Sequence, residues 1–182
     1  MRVYIPATIP LLRQLVDEQR LLPLGATAFA VTPALREAYA AGDDDELAEV
    51  AMQEAARASM RLIGAERDGL GDLDDDDAEG ASTAPGSPVY RRAVIAADVA
   101  GAKLRPDLDD AVVKLSGPIT FEQVAAVHVD LAEAEPQVAK AVDVIDAADL
   151  GDTDAEFVLG DAEDHQLAWY APQELPFLLE LL

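Results

Sequence analysis

The sequence predicts an α/β or α+β protein: a mixed β-sheet covered by helices, with an N-terminal β-α-β-α half and a C-terminal β-β-β-α-β half. Three observations predict it. Short β-branched or apolar runs recur at 2–6, 27–31, 90–99, 111–115 and 124–130. Between the first two, apolar residues at 11, 12, 15, 16 and 22 follow the spacing of a helix lying on a sheet. Hydrophobic residues make up 51% of the 182, enough for a packed core.

The elements follow in order. The opening strand 2–6 closes at Pro6, and Thr8-Ile9-Pro10 reads as a helix N-cap with proline just inside the helix. Strand 27–31 then makes a parallel pair with the first strand, joined by a right-handed crossover, the expected arrangement. Thr32-Pro33 opens a helix over 34–41 that ends at Gly42. The acids 43–45 cap a longer helix running to about Ile63, with an inner face of Leu47, Val50, Ala51, Ala55, Ala58 and Leu62. These side chains are mostly small, so close packing is expected. Strands at 90–99, 111–115 and 124–130 follow, then a helix over 132–147 that Pro136 enters in its first turn. Segments 155–159 and 166–170 read as further strands, and 175–182 as an apolar helix or strap. One domain, 1–182, is expected.

Acid dominates the charge: 36 Asp and Glu against 13 Lys and Arg, a formal net charge of -23. Residues 66–79 hold eight acids and one base, and 80–88 are crowded with Ser, Thr, Pro and Gly, so 68–88 reads as a flexible loop. Acids also cluster at 43–46 and over 143–164, where nine meet no Lys or Arg. Only three lysines occur. Host composition or a salty cytoplasm explains such a solvated acidic surface. Mimicry of nucleic acid is the sharper alternative. A field of this sign repels phosphates and anionic membranes, which argues against direct contact with nucleic acid or a membrane. Cysteine is absent, so disulfides, thiolate nucleophiles and thiolate metal sites do not arise. The opening lacks the basic and apolar regions of a signal peptide, and a cytoplasmic protein is expected.

Three sets of residues are candidates for function. Thr8 with Arg13, and Thr32 with Arg36, place a cation in the early turns of two helices, where the macrodipole disfavours it. A bound carboxylate or phosphate would reverse that sign. The competing reading pairs Arg13 with Asp17 and Arg36 with an acid of 43–46. No Gly-rich phosphate fingerprint is present.

His128 and Asp130 share one strand face, and Glu163 and His165 lie together later in the chain. If the segments adjoin, these four supply a nitrogen–oxygen set for zinc, manganese or iron, although the spacing matches no established motif. The plainer reading makes His128 a strand-end hydrogen-bonding residue and His165 a partly exposed start of the next strand. Trp169, Tyr170 and Phe177 form the third set, an aromatic-rich C-terminal run that completes the core or docks on a second subunit or protein partner. No catalytic constellation is complete, and no cofactor is implied.

The segments M-R-V-Y-I-P-A-T, T-A-F-A-V-T-P-A-L-R-E, V-A-A-V-H-V-D and A-E-D-H-Q-L-A-W-Y-A-P-Q-E-L occur in that order. Together they resemble an uncharacterised family of small acidic actinobacterial proteins. The resemblance spans most of the chain outside 68–88 and implies a bacterial origin, with no activity, cofactor or partner attached. The expectation is therefore a non-enzymatic binding or regulatory module. A metal-dependent hydrolase using the histidine–carboxylate set is the first alternative, and an acidic decoy of a nucleic-acid-binding protein the second.

Overall fold

A computed structural model describes residues 1–39, 41–74 and 89–182. Its centre is a seven-stranded sheet in the order β5-β6-β3-β1-β4-β8-β9. The strands are β1 (Arg2–Ala7), β3 (Thr27–Phe29), β4 (Ala93–Asp98), β5 (Lys103–Leu104), β6 (Val112–Lys114), β8 (Val124–Val129) and β9 (Ala168–Tyr170). Two further short strands, β2 (Arg20–Leu21) and β7 (Ile119–Thr120), pair separately.

The sheet is antiparallel throughout, including the β1–β3 pair, where Tyr4 faces Phe29. This corrects the expected parallel crossover. Helix α1 (Ile9–Glu18) ends at Gln19 in the left-handed conformation (φ 60°). Residues 20–26 then follow as β2 and a 3-10 turn. Seven residues span up to roughly 23 Å, enough for the chain to travel back along the sheet before β3 begins.

Alternation along the strands divides the core in two. Val3, Ile5, Ala7, Ala93, Ile95, Ala97, Val127 and Val129 meet Ile9, Leu12 and Leu15 of α1, together with Leu175 and Leu178 of α6 (Leu175–Leu181). On the other face, Phe29, Val94 and Val112 meet Leu35 of α2 (Pro33–Ala38) and Leu47, Ala51, Ala55 and Ala56 of α3 (Asp44–Asp74). Each large aliphatic side chain withdrawn from water in this way stabilises the fold by about 1.5–3 kcal/mol. The register of β4 with β8 shifts between Ala96 and Ala97. That irregularity allows Val124 and Val127, three residues apart, to join the same core.

The alanines of α3 bring its backbone close to the sheet, as their small size predicts. Buried Ser59 uses this proximity: its hydroxyl donates to the carbonyl of Ala7 (2.6 Å) and accepts from the amide of Ala93 (3.1 Å).

Helix α3 runs well past the expected end near Ile63. Beyond Ser59, Met60 and Ile63 pack against Val138, Val142 and Ile145 of α4 (Glu135–Asp149) and Leu159 of α5 (Thr153–Glu163). The flexible loop expected at 68–88 is thus corrected over 68–74, which are helical, while 75–88 lie outside the described residues. Extending an existing helix is cheap, because each added residue gains a hydrogen bond without a new nucleus. The partners on α4 support it: Arg61 pairs with Asp149 at 2.8 Å, and Arg67 pairs with Asp143.

Segment 155–159, expected as a strand, is the interior of α5. Asp152 caps that helix by accepting from the amide of Ala155 (3.0 Å), and Ala155, Leu159 and Ala162 form its buried stripe. The spacing of that stripe is helical, and a short apolar run alone does not separate the two conformations. No helix among the described residues is long and apolar enough to cross a membrane.

Candidate functional site

Arg92 lies two residues before Val94, on the side of the sheet covered by α3, and an arginine buried there needs a partner. Asp130 supplies it from the end of β8. One carboxylate oxygen accepts from the Arg92 amide and Nε, both at 2.8 Å, and the other accepts from Nη2 at 2.8 Å. Both side chains are buried. Arg92 Nη2 also donates to the carbonyl of His165 at 2.7 Å, which ties the α5–β9 connector to the sheet.

That connector, α3 and the β8–β9 edge enclose a cleft of about 360 Å³. Met52, Gln53 and Ala56 of α3 form one wall, with Glu49 one turn earlier. The opposite wall holds His128 and Trp169, which face each other across β8 and β9. Directly opposed antiparallel residues have Cβ atoms about 4.5–5.5 Å apart, so the imidazole and indole are side by side. Glu163, His165, Gln166 and Leu167 complete the rim, and Arg92 lies at the base.

Electrostatically the base is balanced and the rim is not. Arg92 is neutralised by Asp130. Burial alone holds the half-buried His128 imidazole below the usual histidine range, which favours its neutral form. Arg57 Nε lies 4.0 Å from Glu163. The same guanidinium binds both oxygens of Glu156 at 2.8 and 2.9 Å.

The three sets of sequence candidates fare differently. Thr8 follows β1 and Thr32 follows β3, and because these strands are antiparallel the two helix starts lie at opposite ends of the pair. They do not build one anion pocket. Thr8 accepts from the amide of Leu11 and donates to Glu66 of α3 (2.5 Å), so the start of α1 already faces a carboxyl group of this chain. Arg13 Nε is buried without a hydrogen-bond partner among the described residues. Thr32 donates to the carbonyl of Asp110, accepts from the amide of Leu35 (3.0 Å) and lines a cleft of about 140 Å³. Arg36 pairs with Asp44 (3.2 Å), the plainer of its two readings.

His128, Glu163 and His165 do come to one cleft. Asp130 is held by Arg92, and among the described residues no three His, Cys, Asp or Glu side chains group to hold a metal ion. The aromatic set divides. Trp169 is 60% exposed on the cleft side, whereas Tyr170, one residue on, points through the sheet to the α1–α6 core. Phe177 is 70% exposed on α6. Leu175 and Leu178, with Tyr170 packed against the same cluster, complete that core, and Trp169 and Phe177 do not.

Arg92, Glu49, Met52 and Gln53 escaped notice in the sequence. A signal existed for Arg92: it stands in phase with Val94 and Ala96, on a core-facing position, and Asp130 stands in phase with His128. Opposite charges on inward phases of two strands imply a buried pair. Glu49 and Gln53 offered no such signal, because a polar residue on an exposed helix face is the ordinary case, and Met52 reads as one more apolar residue beside the inner face.

Fold and site together define an antiparallel sheet clad by helices on both faces, with a lateral cleft at the β8–β9 edge. The chain belongs to DUF6912, a family of unknown function, matched over residues 1–179. This agrees with the resemblance to an uncharacterised family noted in the four sequence segments. No curated protein and no solved structure matches the chain.

Proposed function

We propose that this protein is a non-enzymatic binding module whose small-molecule ligand occupies the cleft between α3 and the β8–β9 edge. One observation carries the reading: the 360 Å³ cleft has walls from four separate segments, and the buried Arg92–Asp130 pair pins one of them. Its volume lies within the range of small-molecule sites, and its lining mixes apolar side chains with a few convergent polar groups. Fixed walls reduce the ordering cost of binding. Asp130, engaged on both oxygens, is withdrawn from the donor set that metal-dependent hydrolysis needed. The resemblance to actinobacterial proteins supports a bacterial, cytoplasmic setting.

The test uses thermal unfolding of the full chain with choline, glucose and inorganic phosphate as probes of three charge classes. At a probe concentration a hundredfold above Kd, binding to the folded state alone adds about 2.7 kcal/mol and raises the midpoint. At least one probe is expected to stabilise the wild type and to lose that effect in Gln53→Phe, which fills the cleft mouth. Equal midpoints with every probe, or shifts that Gln53→Phe leaves intact, overturn the reading.

A further inference from the structure

We infer that the cleft takes an organic cation, with its ammonium group between Glu49 and Glu163 and its apolar part against Trp169. The inference rests on reading the cleft as a binding site and adds the chemistry of the ligand.

The aromatic wall comes first. A tryptophan 60% exposed at a cleft rim leaves an apolar π-surface in water, a cost that a bound group would remove. Indole is the aromatic face that attracts cations best. Burial favours the neutral form of His128 beside it, so the wall adds little opposing charge. Next come the charges. Among the described residues, Arg92 is the cationic side chain lining the cleft, and its charge is met by Asp130. Its Nε and Nη2 already donate within the protein, which leaves only Nη1 for an anionic ligand, on a group whose charge Asp130 already meets. Glu49 and Glu163 therefore set the sign at the rim. Met52, Ala56 and Leu167 lend apolar surface suited to alkyl or aryl carbons. Finally, the net charge of -23 raises the local concentration of cations and repels anions before contact.

The arrangement favours a monovalent amine or quaternary ammonium over a metal ion. Hard divalent ions require several oxygens converging at about 2.0–2.6 Å, and no such group forms among the described residues. A larger, softer cation gains from the indole face and from carboxylates at longer range.

The test is calorimetric titration of the full chain with choline, with 3,3-dimethylbutan-1-ol as its uncharged isostere, and with inorganic phosphate. Trp169, the sole tryptophan, gives a parallel fluorescence readout. Choline is expected to bind saturably, about tenfold or more tighter than the isostere. The Glu49→Gln/Glu163→Gln variant is expected to lose most of that preference while unfolding like the wild type. Both glutamates are exposed, so its folding is not at stake. If the isostere or phosphate binds as tightly as choline, and Gln53→Phe abolishes that binding, the cation inference falls while the binding-module reading stands. If no probe binds, or Gln53→Phe changes nothing, both fall.

Discussion

Asp130 closes both of its carboxylate oxygens on Arg92, through three hydrogen bonds of 2.8 Å that join the end of β8 to the start of β4. The pair contributes more to geometry than to net stability. Desolvating two charges offsets most of their attraction, yet removing one partner strands the other without water. We expect Asp130→Ala to destabilise the fold by about 3–5 kcal/mol in urea unfolding. The double variant Arg92→Leu/Asp130→Leu should recover most of this. A double variant as unstable as the single would show that the pair's net contribution is large.

His128 makes stability depend on pH. Its folded pKa lies below the ordinary 6.5 because burial penalises the imidazolium. Unfolding therefore takes up a proton below that value, and this contribution is intact above about pH 6.5 and lost as pH falls toward the folded pKa. Urea midpoints at pH 7.5 and 5.5 should differ less in His128→Gln than in the wild type. An unchanged difference would place the pH dependence elsewhere.

Glu66 acts with the opposite sign. Burial raises its pKa above 4.5, against a smaller lowering by the Thr8 hydroxyl. The stability it contributes is complete below pH 4.5 and is lost as pH rises through the folded value. Glu66→Gln keeps an oxygen for Thr8 and removes the buried charge. It should unfold at higher urea than the wild type at pH 7.5, with the two midpoints converging toward pH 4. A less stable variant at pH 7.5 would contradict the assignment.

The α4–α5 pair is held to α3 mainly by apolar packing. Leu159 is fully buried between these helices, and Leu159→Ala should cost about 2–5 kcal/mol. Arg61 and Asp149 make a two-bond pair at 2.8 Å on the same interface, but both are substantially exposed. Arg61→Gln should cost at most about 1 kcal/mol, and less at high salt. Urea unfolding of both variants at two salt concentrations checks the ranking, and a reversed order would make the interface electrostatic.

Local rules made much of the fold legible. Thr8, Thr32 and Pro136 mark helix starts through backbone chemistry confined to a few residues, and the alternating runs of β1, β4 and β8 announce strands facing a core. The small face of α3 likewise foretells close packing on the sheet. The end of α3 was not legible, because Arg61 and Arg67 find their acids on α4, about eighty residues away in the chain.

What the sequence determined by itself is therefore most of the elements, though not α5, which reads as a strand, or the short pair of β2 and β7, together with the acidic, cysteine-free surface. Tertiary structure decided how those elements are directed and what they bring together. A return path through residues 20–26 turned an expected parallel pair antiparallel, and that one reversal sent Thr8 and Thr32 to opposite ends. Arg92, Asp130 and His165 meet for the same kind of reason: strand pairing and burial set their positions, and neither is encoded in any one segment. The cleft is a product of that meeting. Its walls come from four stretches of chain, each of which alone reads as ordinary surface or core.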